Sequence, residues 1–178
     1  MPVSTWIQIL AAAATIPLLM AAAFTDLARY RIPNVIVCAI VAIFVIGAAF
    51  NLSWPALAWS AAAGVGMFLL GAGLFAFGLF GGGDVKLIAA MALWTGFADL
   101  PRFLFVMSAA GGLLGAVWLV RRRLRRPAPA VGGPASNDAP SVRIPNRIPY
   151  GVAIALAGLD FFVVSPHSPL MHVWPWAA

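Results

Sequence analysis

The chain contains no glutamate; its five acidic residues, Asp26, Asp84, Asp99, Asp138 and Asp160, are all aspartates. It has one cysteine, Cys38, and two histidines, His167 and His172. A single cysteine excludes an internal disulfide and leaves no thiolate cluster for zinc, so Cys38, set in an apolar run, reads as a small buried hydrophobe. Two surface histidines with no carboxylate or cysteine nearby to complete the set do not make a metal site. A Ser–His–Asp triad is equally unsupported, because Ser60 and Ser108 lie mid-span with no histidine at their depth. No metal and no cofactor is expected. Charge of either sign is scarce: 9% of residues are charged, against roughly 25% in soluble domains. That scarcity excludes an ordinary soluble domain.

Apolar residues fill the space left. They make up 63% of the 178 residues, and the mean hydropathy is +0.98. Several stretches reach the ~20 apolar residues that cross a bilayer. The expected fold is all-α: one polytopic membrane domain over residues 1–178, with no room for a second folded unit. The net charge of +6 does not indicate a nucleic-acid partner, since basic residues in short loops fix membrane orientation.

Proline, glycine and charge divide the chain into six predicted spans, at about 6–24, 35–53, 56–80, 85–98, 102–120 and 149–165. Residues 6–24 are expected to stay as a membrane helix and not a signal peptide, because no Lys or Arg precedes Arg29 to form a positive n-region. Pro17 is expected to kink this span. A polar turn is expected from Asp26 to Asn34, and the fourth span is expected to stop at Asp99-Leu100-Pro101. The Pro- and Gly-rich stretch 121–148 is expected to be a flexible loop. Trp174 and Trp176 suit an interfacial belt. Six crossings put ten of the eleven basic residues on one side, with only Arg102 opposite. The positive-inside rule makes that side cytoplasmic and both termini exoplasmic. The arginine run 121–126 also suits contact with lipid headgroups.

The same topology places Asp26, at the end of the first span, and Asp84, at the start of the fourth, at one depth on the cytoplasmic face. Membrane carboxylates are costly, about 2.5–3.5 kcal/mol each on insertion scales, so each needs an account. Two carboxyl groups a few ångströms apart share a proton. One then takes a proton from water while the other polarises a peptide carbonyl, which is aspartic protease chemistry. Gly81, Gly82 and Gly83 allow an unwound backbone and close approach of a substrate strand. On the residues alone other readings stay open: Asp26 paired with Arg29 or Arg31, Asp84 salt-bridged to Lys86, or a proton-coupled transporter. A non-catalytic membrane scaffold is a further reading.

Three segments carry a resemblance. Phe24-Thr25-Asp26 through Ile32-Pro33-Asn34 resembles the first catalytic motif of the type IV prepilin peptidases. Gly81-Gly82-Gly83-Asp84-Val85-Lys86 resembles their Gly-x-Gly-Asp signature, and Pro149-Tyr150-Gly151 is similar to the segment that opens their last helix. The resemblance implies an aspartic endopeptidase that removes leader peptides from prepilins and pseudopilins at the cytoplasmic face of the bacterial inner membrane. Asp26 and Asp84 match the catalytic pair. Gly81, Gly83, Lys86, Pro33, Asn34, Pro149, Tyr150 and Gly151 match positions that shape the site or bind substrate. Expected partners are prepilin substrates, membrane lipids and the pilus-assembly machinery. The first turn is short and the CxxC pairs of bifunctional members are missing, so the methyltransferase activity should be absent. The compact plan looks like the CpaA/TadV type serving tight-adherence (Flp) pili, and archaeal preflagellin peptidases share that core.

Asp160 is expected nearer the exoplasmic side in a packing or snorkelling role. Asp99 is expected in the exoplasmic turn beside Arg102, and Asp138 in the loop.

Overall fold

The computed structural model describes residues 3–124 and 149–170. Among them there are helices and connecting turns and no strand. The order is α1 (Val3–Arg29), α2 (Asn34–Asn51), α3 (Trp54–Ala76), α4 (Gly82–Leu124) and α5 (Tyr150–Val164). The first four are long and apolar enough to cross a membrane, and α5 is a shorter apolar helix. The chain therefore fits a multi-pass membrane protein. Arg125, Arg126, Asp138, Arg143, Arg147, His172, Trp174 and Trp176, and most of the predicted 121–148 loop, lie outside the described residues.

Prolines mark the helix starts. Pro33 and Pro149 cap α2 and α5, and Pro55 occupies the first turn of α3. There a missing N–H removes no intrahelical bond. Pro17 sits mid-helix, yet α1 remains one helix through it. Antiparallel packing assembles the bundle. Ala11 of α1 meets Gly47 of α2, Leu19 meets Gly158 of α5, and Gly64 and Gly71 of α3 meet Leu93 and Val85 of α4. The buried core draws Leu19, Ile40, Leu87, Met91, Phe103, Ile154 and Phe162 from α1, α2, α4 and α5. Trp94 stands between Phe44 and Phe162, with edge-on ring contacts at 5.5 and 5.2 Å.

α4 is two helices joined at a reversal. Gly96 has φ 55° and ψ −169°, a non-helical conformation that is essentially glycine-only. Along a straight helix Asp84 and Gly111 would lie ~40 Å apart at 1.5 Å per residue. Instead Gly111 packs on Tyr150, whose ring lies 5.6 Å from that of Phe80, just before Asp84. The second half of α4 thus runs back beside the first. The reversal lies earlier than the expected stop at Asp99-Leu100-Pro101, because a left-handed backbone reverses the chain more sharply than a proline does. Pro101 is then near the start of the second half, where it is tolerated.

Gly96→Val forces a branched side chain into this conformation, at a cost of ~1–3 kcal/mol. A clear fall in the melting temperature of the detergent-solubilised protein is the expected result; an unchanged value would show that the reversal does not depend on glycine.

Other boundaries also shift. α1 continues to Arg29, so Asp26 is helical and not part of a turn, and α3 ends at Ala76 instead of residue 80. The fourth helix starts at Gly82, so Gly82 and Gly83 are helical and only Gly81 is unwound. Cys38, expected to be buried, is exposed, because the α2 face that carries it has no neighbour among the described residues.

Candidate active site

Asp26 lies in the last turn of α1, on the face turned toward the bundle, and is 6% exposed. The helix ends abruptly behind it. Tyr30 adopts φ 52°, and its N–H donates to the Asp26 carbonyl at 2.8 Å. A left-handed conformation is uncommon outside glycine, and here it turns the chain at the edge of the site. The Asp26 side chain is held from α5: the Gly151 N–H donates to Oδ2 at 2.7 Å. That amide belongs to the first helical turn, where backbone donors have no intrahelical partner. A β-carbon on Gly151 would come within 2.8 Å of Asp26 Cβ and Oδ2. Only glycine permits this approach.

Asp84 lies in the first turn of α4. It lines the same cavity as Asp26, a space of about 430 Å³ whose walls include Tyr30, Phe75, Phe80, Gly81, Gly82 and Tyr150. A neighbouring recess of about 250 Å³ shares both aspartates and adds Arg31, Ile32 and Gly83. Among the described residues neither is ion-paired: the salt bridges found there join Arg102 to Asp160 and His167 to Asp99. This counts against the readings that spent Asp26 on Arg29 or Arg31 and Asp84 on Lys86. Two carboxyl groups on one cavity, neither ion-paired among the described residues, are a constellation for proton transfer.

The remaining candidates divide into two groups. Gly81, Gly83, Tyr150 and Gly151 are at the site. Tyr150 is clamped between Phe80 and Gly111, where a β-carbon would come within 2.9 Å of the ring. Lys86, Asn34, Pro33 and Pro149 do not line the cavity. Lys86 Nζ donates to Asn34 Oδ1 at 3.0 Å, tying α2 to α4. Pro33 and Pro149 start the helices that follow them.

At the opposite end Asp160 and Arg102 form a two-point ion pair at 2.8 and 3.1 Å, where simple packing or snorkelling of Asp160 was expected. Asp99, expected in the exoplasmic turn beside Arg102, lies in helical backbone just past Gly96. It is buried and accepts from Ser165 Oγ at 2.7 Å. His167 Nδ1 lies 3.1 Å from Asp99 Oδ2, so a carboxylate does stand near that histidine, brought there by the turn after α5. Among the described residues no group of three metal-binding side chains occurs.

A profile of the type IV leader peptidase family matches residues 13–116, a segment that holds both aspartates. The chain belongs to the type IV leader peptidase family. Two curated relatives, the prepilin leader peptidase/N-methyltransferases of Burkholderia pseudomallei strains 1026b and K96243, are each 38% identical over 63 residues. Each match covers 32% of this chain and 20% of the relative's length. No solved structure matches the chain significantly.

The family match stops before α5, and tertiary contact brings Tyr150 and Gly151 to the site. Sequence reasoning gave no role to Tyr30, Phe75 or Phe80. Tyr30 is quoted within the first motif, but nothing in its identity signals a left-handed backbone. Phe80 adjoins the glycine run, the one signal that points to it.

Proposed function

We propose that the protein is a membrane aspartic endopeptidase that removes the leader peptide from Flp-type type IV prepilins and pseudopilins. Asp26 and Asp84 are the catalytic pair. One carboxylate takes a proton from the attacking water while the other, protonated, polarises the scissile carbonyl, and the proton passes on to the leaving amine. No covalent intermediate is needed. The observation that carries this reading is the placing of both aspartates on one cavity without an ion-pair partner among the described residues. The family match and the prepilin peptidase relatives support the substrate class.

The topology belongs to the same proposal. Counting the two antiparallel halves of α4 separately gives six crossings of the inner membrane. Both termini are then exoplasmic, and the carboxylates lie at the cytoplasmic face, where a prepilin exposes its leader. A prepilin whose apolar stem spans the bilayer brings its scissile bond to the site by depth alone, a proximity effect.

Co-expression with a Flp-type prepilin tests the proposal, with leader removal read by gel mobility and N-terminal sequencing. The expected result is a shortened prepilin only in cells that carry the protein. An uncut prepilin, together with proton-coupled solute uptake into liposomes, would instead favour a transporter.

A further inference from the structure

Tyr30 ends α1 in a way to which a tyrosine is poorly suited. Its N–H donates to the Asp26 carbonyl at 2.8 Å and closes the last turn of the helix. Its backbone then takes φ 52°. A left-handed end of this kind is usually made by glycine, which has no β-carbon to clash there. A tyrosine in that place carries strain that the turn itself does not require. The flanking Arg29 and Arg31 are exposed, whereas Tyr30 is half-buried. Aromatic packing does not account for the ring either. Tyr150 pairs with Phe80, but Tyr30 is in no aromatic pair among the described residues.

The place of the residue does account for it. Tyr30 borders both spaces at the carboxylates, the cavity of about 430 Å³ and the recess of about 250 Å³. Five residues are common to the two linings: Asp26, Asp84, Gly81, Gly82 and Tyr30. Two are the carboxylates and two are glycines, so Tyr30 brings the one large side chain to this border. We infer that Tyr30 is a substrate-binding residue, whose ring packs against the substrate peptide beside the bond that is cut. A peptide held at the carboxylates continues both ways from its scissile bond, one direction toward each space, and passes Tyr30 as it does so. The inference rests on the peptidase reading and adds a side chain that grips the substrate without taking part in proton transfer. Backbone strain gathers at such places, because the surroundings hold a side chain there that the local backbone alone would not choose.

Tyr30→Gly, Tyr30→Asn and Tyr30→Phe test the inference. The readouts are cleavage of a Flp-type prepilin in liposomes and the melting temperature of the detergent-solubilised protein. Glycine and asparagine accept the left-handed backbone and remove the ring, whereas phenylalanine keeps the ring. In the glycine and asparagine variants KM is expected to rise about tenfold, with a smaller change in kcat and no fall in melting temperature. A contact made equally in the bound and transition states moves KM and spares kcat, and burying part of an aromatic ring is enough for about a tenfold change. Tyr30→Phe is expected to rescue the loss, with KM back within about threefold of wild type. Unchanged KM in the glycine and asparagine variants would overturn the inference. A lowered melting temperature in both, with the loss confined to kcat, would overturn it in favour of a structural role. A KM raised as far by Tyr30→Phe as by the other two would reject the ring contact. Wild-type protein that cuts no prepilin would reject the peptidase reading itself, and this inference with it; cleavage by wild type with KM unmoved in the variants rejects the Tyr30 contact alone.

Discussion

Asp26→Asn and Asp84→Asn are each expected to stop leader removal, with the single-turnover cleavage rate falling at least about a thousandfold. The figure follows from what a positioned acid or base contributes, ~10²–10⁴-fold, when the partner carboxyl cannot act alone. Asparagine keeps the size of the side chain and, at position 26, still accepts the Gly151 N–H that bonds Oδ2 at 2.7 Å. The substitution therefore removes proton transfer and leaves the packing. Neither aspartate has an ion-pair partner among the described residues, so no cation is stranded by the change. The measurement is cleavage of a purified Flp-type prepilin in liposomes, with the melting temperature as a check on folding. Processing by either variant within tenfold of wild type would end the catalytic assignment. A scaffold that only assembles pili would keep its function in both.

Gly151→Ala is expected to lower kcat about a hundredfold while KM moves little. The added β-carbon would stand 2.8 Å from Asp26 Cβ and Oδ2 and 3.0 Å from Cγ, closer than any real contact. Asp26 or the start of α5 must therefore shift, and either shift weakens the 2.7 Å bond that orients the carboxylate. Misplacing a catalytic group by about 1 Å costs ~10² in rate. Because Gly151 acts through Asp26, it is a positioning residue, and the split between kcat and KM is the readout that separates this from general loosening. Gly111→Ala offers a graded comparison. Its β-carbon meets the edge of the Tyr150 ring at 2.9 Å, and a ring can swing away where the end of a helix cannot. A smaller loss is expected there. If Gly151→Ala cut prepilin within threefold of wild type, the contact between α5 and Asp26 would have no part in catalysis.

Lys86 shows how a motif position can belong to the site by sequence and to the scaffold by structure. Two residues after Asp84, it falls on the far face of α4, since successive helical residues turn by more than a quarter circle. Its Nζ goes to Asn34 across the bundle. Nearness in sequence suggested an ion pair with Asp84, but the helix geometry forbids it.

The sequence by itself determined the apolar character of the chain, because a bilayer admits only long runs free of charge. It also singled out Asp26 and Asp84, because a carboxylate in such a setting is too costly to be incidental. Punctuation by Pro33, Pro55 and Pro149 marked helix starts, since proline's geometry is local and needs no partner.

What the tertiary structure decided was non-local. The reversal at Gly96 depends on the second half of α4 finding α5, and no local signal separates that glycine from the others in the chain. The Gly151 amide reaches Asp26 across 125 positions of sequence. Asp99 meets Ser165 and His167 only because the chain turns after α5. Local rules fix where a helix starts and how apolar it is; which faces meet is set by close packing among all five helices at once, and that information is spread over the whole chain.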